Sequence, residues 1–228
     1  MVYESCYWKD DLRSYATELR NISTCTTLDD EYRDYRLEKA LLLSAFTVRL
    51  LLEANKLSDS FDSRNLQVDY YSAKRGAQES ISPLNKRFID ERYFDLDKST
   101  SSSISIRQLT NQLIHSAVVL MFSYDATNRV IGFFVASDKD YEKRLCYCSL
   151  KEWISVVEAV ADDDIVYALI YKDPKTGKYI TVKLAASDLK DSDAVLKYLE
   201  AKDLAPETLD VIRKELAFMV TEKSALPE

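Results

Sequence analysis

Residues 104–136, ISIRQLTNQLIHSAVVLMFSYDATNRVIGFFVA, hold the change of pattern that decides the fold. The first part has helical spacing. At about 100° per residue, Ile106, Leu109, Leu113 and Ala117 fall on one face. Ser103 or Ser105 is placed to cap that helix. The second part reads as two strands, 117–124 and 130–136, with Asp125, Thr127 and Asn128 supplying the turn. Helices therefore give way to strands near residue 116. The expected fold class is α+β, an N-terminal helical bundle followed by antiparallel β-strands with flanking helices.

Upstream of that stretch, residues 4–19 carry Trp8, Leu12, Tyr15, Ala16 and Leu19 at helical spacing, and 21–27 form a polar break. Residues 35–57 give the strongest helix signal. Their apolar residues cover nearly every face, which predicts a central, buried helix. Arg49 and Glu53 lie one turn apart in it. They form either an ion pair at the helix's far end or a pair of which one member faces Arg107, Asn111 and His115 on the helix that follows residue 104. Residues 58–103 show weak periodicity and predict a long loop.

Downstream, 143–149 predicts a third strand in which Cys146 and Cys148 share a face, and 150–161 a helix with Trp153, Ile154, Val157 and Ala161 at core spacing. Residues 165–184 predict a hairpin around Asp173-Pro174-Lys175-Thr176-Gly177. Two C-terminal helices follow, one from Ser187 or Asp188 and one from Ala205-Pro206-Glu207. The expected division is a helical core at 1–116 and an α+β portion at 117–228, packed on the core or flanking it.

The 228 residues are 46% hydrophobic and 30% charged, which suits a globular chain with a substantial core. Three glycines and no GxxxxGK or GxGxxG pattern exclude a P-loop nucleotide hydrolase. A net charge of −7 disfavours a broad, non-specific nucleic-acid coat but permits a local site. Four cysteines without zinc spacing and one histidine give no closed zinc site, so no metal and no cofactor is expected. With no apolar leader and no run of 18 apolar residues, the expectation is a cytoplasmic protein with reduced thiols and no membrane partner. The acids Asp162, Asp163 and Asp164 read as a loop charge run.

The single histidine, His115, is the only imidazole available for proton transfer near neutral pH. Arg107, Asn111 and His115 step around the helix by about 40° each and form one polar stripe. That stripe is either the solvated outer face of an amphipathic helix or the catalytic face of a site in which Arg49 and Glu53 support it. A second candidate is the set Lys74, Arg75, Lys86, Arg87 and Arg92, interleaved with Tyr70, Tyr71, Phe88, Tyr93 and Phe94. Cations that meet phosphates and rings that stack on bases suit single-stranded RNA. The alternative is a solvated loop with a few anchoring aromatics.

The spacing Arg107-x3-Asn111-x3-His115 within IRQLTNQLIHS resembles a signature of some uncharacterised bacterial proteins of the HEPN superfamily. The segments FTVRLLLEANKLS (46–58) and IGFFVASDKD (131–140) look like neighbouring parts of the same group. The resemblance covers roughly residues 30 to 160. It implies a helical-bundle ribonuclease of a toxin–antitoxin or anti-phage system, with RNA as substrate, a homodimer that brings two His115 copies to one cleft, and a protein partner or antitoxin. His115 would act as acid or base for 2′-OH attack on phosphate, Arg107 would stabilise the transition state, and Asn111 would hold the phosphate or the imidazole tautomer. Four to six residues usually separate Arg from His in the active members. Seven separate them here, so the resemblance equally admits a non-cleaving module that binds RNA, a nucleotide or a protein.

Overall fold

A computed structural model describes residues 4–62, 64–74, 93–116, 121–172, 177–188, 197, 200 and 206–223. In chain order the elements are α1 (Ser5–Ser23), α2 (Asp30–Glu53), α3 (Asp59–Asp62), β1 (Asn65–Ala73), β2 (Phe94–Ser105) and α4 (Ile106–Ile114). There follow β3 (Met121–Tyr124), β4 (Val130–Val135), β5 (Arg144–Ser149), α5 (Leu150–Asp162), β6 (Ile165–Lys172), β7 (Tyr179–Ala185) and α6 (Pro206–Lys223). The fold is α+β, with N-terminal helices followed by antiparallel sheets and flanking helices. None of the described helices is long and apolar enough to cross a membrane.

The chain divides into two compact units, one of residues 1–54 and 64–162, the other of 55–63 and 163–228. The division therefore falls after α5 and not near residue 116, because α5 packs on α1 and on strands β4 and β5 of the first unit. The expected loop at 58–103 is also corrected. It contains α3, β1 and most of β2. Its serine-rich half, Lys98–Ser103, lies in β2, which forms one edge of the sheet. There an outward row of hydroxyls needs no apolar partner, so the strand carries little hydrophobic periodicity.

In the first unit the strands run in the order β2-β1-β5-β4-β3, all antiparallel to their neighbours. Alternation sends Leu66, Val68, Ile104, Phe133, Val135, Cys146 and Cys148 to one face, where all are buried. The expected shared face of the two cysteines is part of this layer. Helix α5 leans on β4 and β5 and presents Trp153, which is fully buried. Trp153 Nε1 donates to Ser44 Oγ at 3.1 Å, and Ser44 Oγ donates to the Leu41 carbonyl at 2.8 Å. The bond ties α5 to α2 through the centre of the core. On the other face of the sheet the rings of Phe134 and Tyr147 lie 5.0 Å apart, with Tyr71 5.7 Å from Phe134.

Helix α2 departs from expectation in its burial. Leu37, Ala40, Leu41, Ala45, Val48, Leu51 and Leu52 are buried, but Tyr32, Tyr35, Leu43 and Phe46 are exposed. One face of an apolar-all-round helix thus remains in solvent. The helix begins at Asp29, which accepts from Tyr32 N, and ends before Asn55, whose φ of 56° is left-handed. Near its start, Arg33 is buried. It pairs with Asp30 at 2.8 Å, donates to the Asn128 carbonyl at 3.3 Å and lies 5.0 Å from the Tyr124 ring centre. It therefore fastens the β3–β4 turn to α2. The expected turn residues build that turn. Asp125 Oδ1 accepts from the Thr127 and Arg129 amides at 2.8 and 3.0 Å, and Asn128 takes φ 60°.

In the second unit β6 and β7 form the expected hairpin. Gly177 has φ 67°, and residues 173–176 of the turn lie outside the described residues. Asp163 does not belong to a solvated charge run. It is buried, and it accepts from Ser58 N and Ser58 Oγ, each at 2.7 Å. Most of the expected helix from 187 to 199 falls outside the described residues.

Two outcomes follow from this core. Ser44→Ala leaves the Trp153 N–H buried without an acceptor and should cost about 1–3 kcal/mol. Urea unfolding with an unchanged slope would measure it, and an unshifted midpoint would contradict it. The second outcome concerns pH. Burial raises the Cys146 thiol to about 12 and the Cys148 thiol well above its ordinary 9. Both stay protonated in the folded state, while an unfolded thiol ionises near 9. Stability contributed by these protonated thiols is complete below about pH 8.5 and falls as pH rises towards 12. Native protein at pH 8 should alkylate at Cys6 and Cys25 and not at Cys146 or Cys148. Rapid labelling of the latter pair in folded protein would contradict the burial.

Candidate functional site

Helix α4 has nine residues, so its ends decide whether it forms at all. Ser105, one of the two expected caps, closes a capping box. Its Oγ accepts from Gln108 N at 3.2 Å, and Gln108 Oε1 accepts from Ser105 N at 3.1 Å. At the far end His115 is the C-cap. Its N–H donates to the Asn111 carbonyl at 3.0 Å, and its own carbonyl accepts from Asp138 N at 3.3 Å. A bridge between Ser116 and Ser137 continues this seam. The end of α4 is thereby joined to the turn that follows β4.

That turn, Ser137-Asp138-Lys139-Asp140, is tightly wound. The Ser137 carbonyl accepts from Asp140 N and Tyr141 N at 3.0 Å each, and the Asp140 carbonyl accepts from Lys143 N at 2.8 Å and Arg144 N at 2.9 Å. Asp140 is its hub. Oδ2 accepts from Gln112 Nε2 at 3.3 Å and from Ser137 Oγ at 3.2 Å, and Oδ1 lies 3.6 Å from Arg144 Nε. The Arg144 guanidinium carbon is 4.1 Å from the centre of the Tyr70 ring, a cation–π distance. Burial, then the neighbouring Cys146, raise the Tyr70 hydroxyl above its ordinary 10, so it stays a neutral donor.

Between α4, this turn and the end of the sheet lies a cleft of about 700 Å³. Its walls include Tyr70, Ser102, Ser103, Gln108, Asn111, Gln112, His115, Ser137, Lys139, Asp140 and Arg144. The volume suits a ligand the size of a nucleotide or somewhat larger. The wall is rich in amides and hydroxyls, which offer donors and acceptors together. Gln112 is buried, and its Oε1 has no partner among the described residues.

The structure brings Asn111 and His115 to this cleft and leaves Arg107 off its wall. The reason is angular. Gln108, Asn111, Gln112 and His115 lie within about 100° of one another around α4, and Arg107 lies about 90° from their middle. The polar stripe that faces the cleft is thus centred on Gln108 and His115. Arg49 forms the ion pair of the first alternative and meets α4 only at its backbone. It pairs with Glu53 at 2.5 Å, and its Nη1 donates to the Arg107 carbonyl at 3.4 Å. It supports the backbone of α4 but does not reach the cleft.

The basic–aromatic set divides as well. Lys74 follows β1 and is not on the cleft wall, and its amide donates to the Tyr93 carbonyl at 2.8 Å. Arg75, Lys86, Arg87 and Arg92 lie outside the described residues. Tyr93 and Phe94 are buried with Ala136 and Leu145, so these two rings anchor the chain and are not open for stacking. Among the described members of that set, Tyr70 alone joins the cleft. Sequence reasoning missed Gln112, Asp140 and Arg144. The only signal for them was the short SDKD run after a confident strand, where an acid–base turn closes on the preceding helix. Among the described residues no three His, Cys, Asp or Glu side chains gather to hold a metal ion.

Compared with protein families, with curated proteins and with solved structures, the chain has no significant match.

Removing the hub carboxylate tests the site's construction. Asp140→Ala removes the carboxylate that Gln112 Nε2 and Ser137 Oγ donate to and should cost about 1–3 kcal/mol in urea unfolding. A variant as stable as the parent would show that the Gln112–Asp140 bond holds nothing.

Proposed function

We propose that this chain binds single-stranded RNA through the His115 cleft and does not itself cleave it. One observation carries the reading. A nucleotide-sized cleft gathers amides, serine hydroxyls and a guanidinium held over a tyrosine ring around one short helix, one tight turn and the ends of neighbouring strands. Amides and hydroxyls match base edges and ribose hydroxyls, and single-stranded RNA is the form that offers both. The acids Asp138 and Asp140 on the same wall suit a short contact better than a long electrostatic track, which agrees with the chain's negative charge.

Cleavage is the second reading, favoured by the exposure of the His115 residue on the same wall as Asn111. It would be metal-independent, with 2′-OH attack on phosphate and His115 as acid or base. A single imidazole cannot serve both steps at once, so this reading requires a two-fold dimer with two His115 copies at one site. A toxin or anti-phage role belongs to this reading alone.

Incubation of a mixed RNA pool with EDTA, combined with filter binding, separates the two. The expected outcome is retention of RNA by the parent protein, intact RNA ends, and binding weakened roughly three- to tenfold by His115→Ala. Cyclic-phosphate ends that vanish in His115→Ala would replace the binding reading with the ribonuclease reading.

A further inference from the structure

We infer that Arg144, and not the sequence-motif Arg107, is the residue that grips a phosphate group in the cleft. The inference rests on the RNA-binding reading and names the ligand atom that the site is built to hold. Three features orient the Arg144 guanidinium before any ligand arrives. It lies over the Tyr70 ring, with the guanidinium carbon 4.1 Å from the ring centre. Its Nε is drawn towards Asp140 Oδ1 at 3.6 Å. Its backbone amide is fixed on the Asp140 carbonyl at 2.9 Å. Asp140 is itself held by Gln112 and Ser137, so the tether does not move freely.

With Nε turned to Asp140, the two terminal nitrogens form the remaining edge of the fork. Among the described residues neither has a hydrogen-bond partner, and the side chain is 45% exposed on the cleft wall. A guanidinium held over a ring beside a carboxylate, with both Nη groups open, can make two parallel bonds to a phosphate. Lys139 and His115 line the same cleft and add donors around that position. Asp138 and Asp140 offset their charge, so the site suits one phosphate and opposes a polyphosphate. Gln108 and Asn111, along the helix, are then placed to meet the sugar or base of the same nucleotide. Arg107 is off the cleft wall, and its carbonyl is engaged by Arg49.

The test is fluorescence anisotropy of a labelled, short, mixed-sequence single-stranded RNA, with nucleosides and nucleoside 5′-monophosphates as competitors. Parent protein is compared with Arg144→Gln, Arg144→Lys and Arg107→Gln. Thermal melting first establishes that each variant folds. The expected result is an affinity loss of about tenfold or more for Arg144→Gln, a partial loss for Arg144→Lys because the fork is gone but the charge remains, and a change of less than about twofold for Arg107→Gln. The dependence of affinity on salt should fall by about one charge in Arg144→Gln only. Monophosphates should compete better than nucleosides against the parent protein and lose that advantage against Arg144→Gln. If folded Arg144→Gln binds like the parent while Asn111→Ala or His115→Ala weakens binding, the role of Arg144 is overturned and the cleft reading stands. If the parent binds neither RNA nor monophosphates, the RNA reading falls and the inference with it.

Discussion

The first unit depends on keeping one face of its sheet dry. Leu66, Val68, Phe133, Val135, Cys146 and Cys148 form an apolar surface that only packed helices can cover. Trp153 fills the middle of that cover, and its one polar atom finds Ser44 on α2. This constraint places α1, α2 and α5, and it draws α5 into the sheet-bearing unit. The nine-residue α4 reaches β2 but is too short to extend the cover further. The cleft opens at that point, lined by the end of α4, the turn after β4 and Tyr70 of β1.

A polar network maintains the opening. Asp140 gathers Gln112, Ser137 and Arg144, and Tyr70 supports the guanidinium from below. Such a network is costly when incomplete, and Gln112 Oε1 is buried without a partner among the described residues. A purely structural turn would be satisfied more cheaply by apolar residues. The retention of an open guanidinium edge beside an incompletely paired amide is the physical basis for regarding this turn as part of a binding site.

The helix carrying His115 shows how far a periodic pattern reaches. Spacing of 106, 109 and 113 identified its buried side correctly, and Ser105 was legible as its cap. The same spacing also made Arg107, Asn111 and His115 look like one functional row. The row that faces the cleft is displaced by about 50°, because the position of the wall is set by Ser137–Arg144, some thirty residues downstream. A helical wheel gives angles within α4 but not the direction from which its neighbours approach. Helix α2 teaches a related lesson. Its composition predicted burial all round, yet Tyr32, Tyr35, Leu43 and Phe46 remain exposed, since the packing of α1, α4 and α5 covers only part of its circumference.

By itself the sequence determined the elements whose signals are local. These were the helix–strand change near residue 116, the Asp125–Asn128 turn, the 165–184 hairpin, the shared burial of Cys146 and Cys148, and the placement of Asn111 and His115 on one helix face. Capping, turn geometry and side-chain alternation act over a few residues and can be read along the chain. Only the tertiary structure decided that residues 65–73 and 94–105 pair as strands, that α5 closes the first unit, and that Asp163 is buried against Ser58. It also decided that Arg144 and Tyr70, far apart in sequence, meet His115 at one cleft while Arg107 does not. Those outcomes depend on which distant surfaces exclude water from each other, and no local spacing encodes that choice.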